Sequence, residues 1–413
     1  MDEFLTVVIR QSTTVWFNTS NFPKTEVGSG KSGAPVQTLE NLEMKKTLVA
    51  LAALAATSAF AQSSVTISGL ADLGYQSVNG PAKLGDYKGV AKDGTATTVL
   101  TIAGTEDLGG GLAANFKLQL TPDFNTGGGV AQVNTSAASV PAPTGQEAFV
   151  GLSSANYGSL KLGRVNTNAL DAWGVGSVFG TAIGSGYSSN GNVFTRFSAT
   201  AVSAYNTAPT RFNNSIRYES PSFSGLTASA LYVPKIDDNT DGTKNRQGVT
   251  DLGLKYSNGP LNVAYATQKI EQSGTVDVTV QNLGAGTAIL ADGKSNKLSI
   301  LSANYTIGAA TVYGATWTEK QDTSTAVDTS GRMIGAKYVM GATTLMASMG
   351  SSNDKTSANV DKKIAGIGAD YALSKRTALY ARYDTRDANK NSATDDATNG
   401  STKRTAIGVR HTF

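Results

Sequence analysis

The sequence predicts an all-β protein, a 16-stranded antiparallel transmembrane β-barrel with short periplasmic turns and long external loops. Three observations carry this reading. Beyond residue 61 no apolar run approaches the roughly 20 residues that a helix needs to span a bilayer. Apolar and polar side chains alternate instead, and a strand places successive side chains on opposite faces. The connections between the alternating segments are short and long by turns, the order expected of an outer-membrane barrel.

Composition narrows the possibilities further. The 413 residues include 45 glycines, 10 prolines and only 16% charged side chains, which suits many short strands better than helical domains. Absence of cysteine excludes structural disulfides, thiolate zinc sites, iron–sulfur clusters and cysteine nucleophiles. With a net charge of +4 and no basic run or zinc-finger spacing, nucleic-acid binding has no support. No cofactor and no metal site is expected.

A targeting segment precedes the barrel. Met44 opens "MKKTLVALAALAATSAFAQ", where Lys45 and Lys46 lead an apolar stretch from Thr47 to Phe60 that ends in Ala59-Phe60-Ala61. Two lysines, an apolar core and small residues at the cleavage positions describe a secretory signal peptide over 44–61, cut before Gln62. The alternative, a membrane helix, is too short at 15 residues from Thr47 to Ala61. Residues 1–43 lack both this pattern and strand alternation and are read as an upstream extension outside the mature protein, translation starting at Met44. The mature chain is then 62–413, and export without cysteine points to a Gram-negative envelope.

Within 62–413 the alternation recurs in sixteen segments: 64–76, 97–107, 111–120, 146–153, 158–165, 211–220, 225–233, 250–257, 260–269, 296–307, 310–320, 332–340, 342–351, 361–373, 376–386 and 403–413. In the first, Val65, Ile67, Gly69, Ala71, Leu73 and Tyr75 share one face. Most segments are eight to thirteen residues long, close to the roughly 9–11 of a tilted membrane strand. Tight turns such as Asp107-Leu108-Gly109-Gly110, Ser257-Asn258-Gly259-Pro260 and Met340-Gly341 alternate with polar loops at 121–145, 234–249, 270–295 and 387–402.

Alternation alone would also fit a soluble sandwich or a β-solenoid. Aromatic residues decide for lipid: Tyr75, Phe116, Tyr218, Tyr265, Tyr305, Tyr313, Trp317, Tyr338, Tyr383 and Phe413 share the apolar parity, many near strand ends where interfacial girdles sit. The opposite face carries Lys117, Lys161, Arg217, Lys255, Lys337, Asp370, Arg382 and Asp384, costly in a packed core but at home in a wet lumen. Closure removes sheet edges that lipid cannot satisfy, and sixteen strands enclose an aqueous channel where about eight would fill with side chains.

Several spaced blocks carry a resemblance: "SSVTISGLADLGY" after the signal, "AGTEDLGGGLAANFKLQL" at 103–120, "EAFVGLSSANYGSLKLGR" at 147–164, "NNSIRYESPSFSGL" at 213–226 and the terminal "GVRHTF". Across 62–413 the chain resembles the Gram-negative general porins of the β-proteobacterial type. The resemblance implies an outer-membrane homotrimer of sixteen-stranded barrels that passes small hydrophilic solutes, with a third loop folded into each pore. It also implies that the terminal Phe413 is part of the signal read by the outer-membrane assembly machinery.

His411, the only histidine, shares the outward parity of Ile407, Val409 and Phe413. It reads as interfacial or as part of that signal rather than as a metal ligand, because metal sites need several convergent donors. A Ser-His-Asp enzyme would need this imidazole on the wrong face at the terminus, so no catalytic residue is assigned.

The longest stretch without a membrane strand is 165–210, and by resemblance it is the constriction loop, with Asp171, Phe179 and Tyr187 as its marked residues. From Asp171 to Glu219 it adds no further carboxylate, while Arg196, Arg211 and Arg217 fall in that span and Lys117, Lys161 and Arg164 precede it. These six bases are the candidate constriction residues. Like charges at a narrow neck concentrate counter-ions, so inorganic anions are the expected partners. Two features work against the cluster. Val99 stands where porins of this kind commonly carry a lumen base, and Arg164 has the outward parity of Leu160 and Leu162. Lipid and lipopolysaccharide are the expected surroundings. The alternative functions are a surface barrel serving adhesion or phage attachment, and a substrate-specific channel.

Overall fold

The computed structural model describes residues 7–9, 13–15, 64–80, 87–125, 132–133, 140–141, 146–185, 211–235, 247–272, 293–322, 328–355, 359, 361–388 and 401–413. The chain divides into two compact units, Met1–Phe60 and Ala61–Phe413. In the first, Val7–Ile9 pairs antiparallel with Thr13–Val15, a short hairpin where strand alternation is not evident in the sequence.

The second unit is a closed barrel. Its strands are β1 (Ser64–Asn79), β2 (Val99–Gly109), β3 (Leu112–Leu120), β4 (Ala148–Ser154), β5 (Gly158–Asn166), β6 (Arg211–Glu219), β7 (Leu226–Val233), β8 (Gln247–Asn258), β9 (Leu261–Gln272), β10 (Ser295–Ile307), β11 (Ala310–Gln321), β12 (Asp328–Met340), β13 (Thr343–Asp354), β14 (Lys362–Ala372), β15 (Thr377–Ala388) and β16 (Thr402–Thr412). All sixteen predicted segments are strands, each antiparallel to its neighbours. Several run further at the external end than the alternation indicated: β12 begins at Asp328 and β8 at Gln247. Beyond the lipid both faces meet water, so the pairing continues after the hydropathy contrast has faded.

The barrel closes where β16 pairs β1, from Lys403 opposite Asn79 to Thr412 opposite Leu70. Phe413 completes the seam: its N–H donates to the Gly69 carbonyl at 3.1 Å, and the Gly69 N–H donates to the Phe413 carbonyl at 2.9 Å. The chain therefore ends with its last backbone groups paired. Beside it His411 stacks on Phe413 and shares a 2.9 Å hydrogen bond with Thr377.

The second strand is broken. Tyr87–Lys92 pairs the upper half of β1 and β2 pairs the lower half. Between them the chain folds around the buried Asp72, whose carboxylate accepts from the Thr95 N–H at 2.7 Å, the Ala96 N–H at 2.8 Å and the Tyr380 hydroxyl at 2.6 Å. Those bonds replace the ladder bonds that the interruption removes.

Outward side chains such as Ile67, Val150, Ile334 and Ile407 are exposed, while lumen-parity Ala266, Ile300 and Ala406 are buried under chain that enters the barrel. Two aromatic assignments are corrected. Tyr313 and Trp317 face the lumen, since Val312, Thr316 and Thr318, of the opposite parity, are the exposed set. Trp317 is 1% exposed and meets Trp173 edge to face at 5.7 Å. Parity on β11 is ambiguous by sequence because small and apolar residues occupy both of its faces.

At the seam the absence of a side chain on Gly69 is essential: a Cβ there would lie 2.4 Å from the Phe413 ring and 2.9 Å from the Val99 carbonyl oxygen. Overpacking of this kind costs about 1–3 kcal/mol. Gly69→Val should accordingly lower the urea midpoint of the purified barrel, read by tryptophan fluorescence, and reduce the fast-migrating folded band on unheated gels.

Candidate functional site

The connection from β5 to β6 turns into the barrel, and its described part is 167–185. It opens with a helix that alternation does not reveal, α1 (Asn168–Gly176). Thr167 caps it, accepting the Leu170 N–H at 3.0 Å. Ala169, Leu170 and Ala172 are good helix formers, and Gly174 and Gly176 bring it to an end. The cap and the Ala-Leu-Asp-Ala run were the available signal, obscured by the glycine-rich stretch that follows.

This loop lies along the inner wall from β6 to β16. Asn168 fastens its start: the backbone N–H donates to Asp251 Oδ2 at 2.7 Å, the side-chain amide donates to the Asp251 carbonyl at 2.9 Å, and Ser229 donates to Asn168 Oδ1 at 2.6 Å. The helix then buries Ala169, Ala172 and Trp173 against Ala264, Ile300 and Trp317. Asn304 donates to the Val175 carbonyl at 2.8 Å. At its far end the Gly184 N–H donates to Asp384 at 2.8 Å and Ser348 donates to the Gly184 carbonyl at 2.7 Å. Gly366 permits that approach, because a Cβ would lie 2.6 Å from the Gly184 Cα.

The loop thus covers one side of the lumen and leaves the β1–β5 wall facing it. On that wall Lys117 is paired with Glu147 at 2.8 Å, and Lys161 stands 5.2 Å from the Phe149 ring centre with no ion pair among the described residues. Lys161 is the cross-strand partner of Arg217, which is buried and held by three acceptors: Asp171 at 2.5 Å, the Asn166 carbonyl at 2.7 Å and Glu219 at 3.3 Å. Asp171 is therefore a loop acid that bonds to the wall, where Asp251 and Asp384 are wall acids that hold the loop. Phe179 is buried, with the Arg382 guanidinium 5.6 Å from its ring centre.

Other candidates fall elsewhere. Arg164 stays on the outward parity, opposite Ala148, although the register shifts between Gly163 and Val165. It donates to the Gln146 carbonyl at 3.0 Å and to Asn213 at 2.7 Å, close enough to Arg211 for the two like charges to act on one another. The pair forms an external rim group apart from Lys117, Lys161 and Arg217. Arg196 and Tyr187 lie outside the described residues.

A second basic wall lies on β15 and β16; parity assigned its Arg382 and Asp384 to the lumen face but did not single them out as part of the site. Arg382 pairs Asp370 at 2.7 Å, Arg410 approaches the same carboxylate at 3.8 Å, and Arg404 makes a bidentate pair with Asp384. Arg382 and Asp384, like Arg404 and Arg410, recur at even spacing on one face, and that was the signal for a wall rather than for isolated charges.

A closed sixteen-stranded barrel with a long loop fastened inside it matches what known proteins share. The family model described as Gram-negative porin matches residues 47–392. The chain belongs to that family. It is 33% identical over 271 residues to an outer membrane porin protein of Bordetella pertussis, covering 59% of this chain and 65% of that relative. Over 247 residues it is likewise 33% identical to outer membrane porin protein 32 of Delftia acidovorans, covering 56% and 62%. Aligned length is thus just under two thirds of each relative. Among solved structures, the anion-selective porin from Comamonas acidovorans superposes with a TM-score of 0.66 at 23% identity, over 85% of this chain and all of that one. The trimer form of OmpT from Vibrio cholerae superposes at 0.59 and 16% identity, over 85% and 99%. This porin has the fold of both, and its family and barrel place it in the outer membrane.

Asp171→Asn would leave Arg217 with Glu219 as its one ion-pair partner among the described residues. The expected result is a higher anion-to-cation permeability ratio in planar bilayers, together with noisier open-channel current as the loop loses one fastening.

Proposed function

We propose that this porin is a passive, water-filled diffusion channel for small hydrophilic solutes with a preference for anions. One observation supports the preference. Five lumen carboxylates are in ion pairs with bases of the wall, Glu147 with Lys117, Asp171 and Glu219 with Arg217, Asp370 with Arg382 and Asp384 with Arg404, while Asp251, Glu319 and Asp72 are buried and hydrogen-bonded by Asn168, Asn296 and Tyr380. By contrast Lys161, Lys255 and Lys337 have no ion pair among the described residues. They stand toward the periplasmic ends of β5, β8 and β12, cross-strand from the lumen-side Arg217, Ala264 and Thr311 respectively.

A paired carboxylate presents little net field to a passing ion, whereas an unpaired ammonium on the wall of a lumen bounded by low-dielectric protein attracts anions and repels cations. Screening is incomplete where the pore is comparable in width with the Debye length of about 8 Å at physiological salt. Passage then follows the field with no bound intermediate, so conductance rises nearly linearly with salt and nothing catalytic is required.

The working protein on this reading is a homotrimer of mature chains beginning at Gln62, inserted with its long loops outward among lipopolysaccharide. Phe413 serves as the mark read by the assembly machinery, a role its position on the closing seam supports. Residues 1–43 and the signal 44–61 are absent from that form, which the N-terminal sequence of protein extracted from outer membranes tests.

The triple variant Lys161→Gln/Lys255→Gln/Lys337→Gln tests the selectivity. In a tenfold potassium chloride gradient its reversal potential should move toward that of a non-selective pore, with conductance retained. An unchanged reversal potential removes these lysines as its source. Saturation of conductance by one solute would replace the general channel with a specific one.

A further inference from the structure

Two stretches of chain enter the lumen beside one another near the closing seam. The segment 93–98 folds over Asp72, a lumen-facing residue in the middle of β1, and is held there by the bonds from the Thr95 and Ala96 N–H groups to its carboxylate. Tyr380 packs so closely behind it that a Cβ on Gly94 would collide with the phenolic hydroxyl. Next to this segment comes the end of the inward loop. Two successive turns fix its shape, the Ala182 N–H donating to the Phe179 carbonyl and the Ser185 N–H to the Ala182 carbonyl, both at 3.0 Å. Between the two stretches lies a cavity of about 310 Å³, lined among others by Gln76, Val78, Asp93, Thr97, Thr181 and Ile183. That is the small end of the roughly 300–1,000 Å³ typical of ligand sites.

Asp93 sets this cavity apart. The other lumen acids are ion-paired or are buried and hydrogen-bonded, as with Glu147 on Lys117 or Asp72 under Tyr380. Asp93 is half-buried, its Oδ1 accepts the Thr98 N–H at 2.6 Å, and it makes no ion pair among the described residues. Two bases also line the cavity, and neither neutralises it. Arg404 is committed to Asp384 through two bonds. Lys92 is near enough for its charge to act on Asp93, yet it stands opposite Leu73 on the outward parity and forms no ion pair with it.

The polar atoms left over in the cavity are mostly acceptors. Gln76 spends its amide N–H on the Lys92 carbonyl at 2.9 Å, which leaves its Oε1. Asp93 keeps Oδ2, and the Thr97 and Thr181 hydroxyls make no hydrogen bond among the described residues. A carboxylate and an amide oxygen only accept, and a hydroxyl does either. An ammonium group, with three donors and a positive charge, matches this set. An anion does not, because no uncommitted base faces it. Val78 and Ile183, both largely buried, form an apolar side suited to a short alkyl body.

We propose that this cavity binds small primary alkylammonium solutes, with the ammonium on Asp93, Gln76 and the two threonine hydroxyls and the alkyl body against Val78 and Ile183. The inference goes beyond the anion-preferring channel, in whose lumen it places a cation site. The two do not conflict. An occupant supplies the charge partner that Asp93 lacks, and so adds positive charge to the lumen. The site is also built in advance of its ligand, since both stretches that form it are held by bonds to the wall, at Asp72 and at Asp384, which lowers the ordering cost of binding.

The test uses the full mature porin in detergent, titrated with isobutylammonium chloride and, in parallel, with tetramethylammonium chloride, which has the charge without the N–H donors; binding is read by saturation-transfer NMR. Isobutylammonium should saturate and bind at least tenfold more tightly than tetramethylammonium. Asp93→Asn should weaken it at least tenfold, and asparagine keeps an acceptor for the Thr98 N–H and tolerates the positive φ of 68° at this position. Thr181→Phe, which fills the cavity from the loop side without altering charge, should weaken it by a comparable factor. The fast-migrating folded band on unheated gels shows that both variants fold. Equal binding of the two cations, or unchanged binding in either variant, overturns the proposal. So does displacement of isobutylammonium by an equal concentration of potassium chloride, which would make this a site for inorganic cations. The parent's reversal potential in plain potassium chloride is measured without the amine, so failure of the amine site leaves the anion-preferring channel standing.

Discussion

A backbone N–H or C=O in hydrocarbon has no water to bond, so a sheet that crosses a membrane must have no edge. The rest of this molecule depends on that constraint. It fixes antiparallel pairing around the whole barrel, and it explains why the chain finishes with Phe413 and Gly69 exchanging two backbone hydrogen bonds. It also explains the folded segment at 93–98. Where the second strand breaks away from β1, Asp72 supplies acceptors inside the wall that the missing ladder would have supplied.

Closure creates an interior, and sixteen strands make it too wide for side chains to fill. The loop after β5 meets this by packing along one side of the wall. Its attachment uses both kinds of force available there. Trp173, Ala169 and Ala172 bury apolar surface against Trp317 and its neighbours, while Asp251, Asp384 and Ser348 fix the backbone at each end through hydrogen bonds shielded from water. Apolar packing sets how closely the loop lies against the wall. Directional bonds set its register.

The barrel was legible because one physical rule, apolar toward lipid and polar toward water, acts on every strand and repeats sixteen times. Where both faces meet similar surroundings the rule gives no signal. Trp317 and Tyr313 look like girdle aromatics in one dimension, yet both face inward, and Trp317 is covered by a loop more than a hundred residues earlier, a long-range fact that no local period encodes. The helix α1 was hidden for a related reason, since its stability comes from burial against β9 to β11 more than from its short, glycine-ended sequence. Among the site residues, Lys117, Lys161 and Arg217 were placed on the lumen face by parity alone. Their pairings were not: Glu147 falls in a predicted strand segment and Asp171 in the predicted constriction loop, but which base each meets depends on how strand ends and loop pack together, which parity does not give. Arg164 shows the opposite case: its outward parity already separated it from the lumen group, and its bonds to Gln146 and Asn213 are those of a rim residue.

Loop attachment and ion preference are therefore linked through the carboxylates. Holding a polar loop inside a wet barrel needs strong acceptors, and the acids that serve, Asp171, Asp251 and Asp384, are neutralised or shielded by the groups they hold. Lys161, Lys255 and Lys337 are left without an ion pair among the described residues, and on the proposed reading they give the lumen its positive field. Net charge from the sequence, at +4 over 413 residues, is a poor guide to this field. What counts is which charges are left after the fold has been fastened, and among the described residues these include lysines on three separate strands.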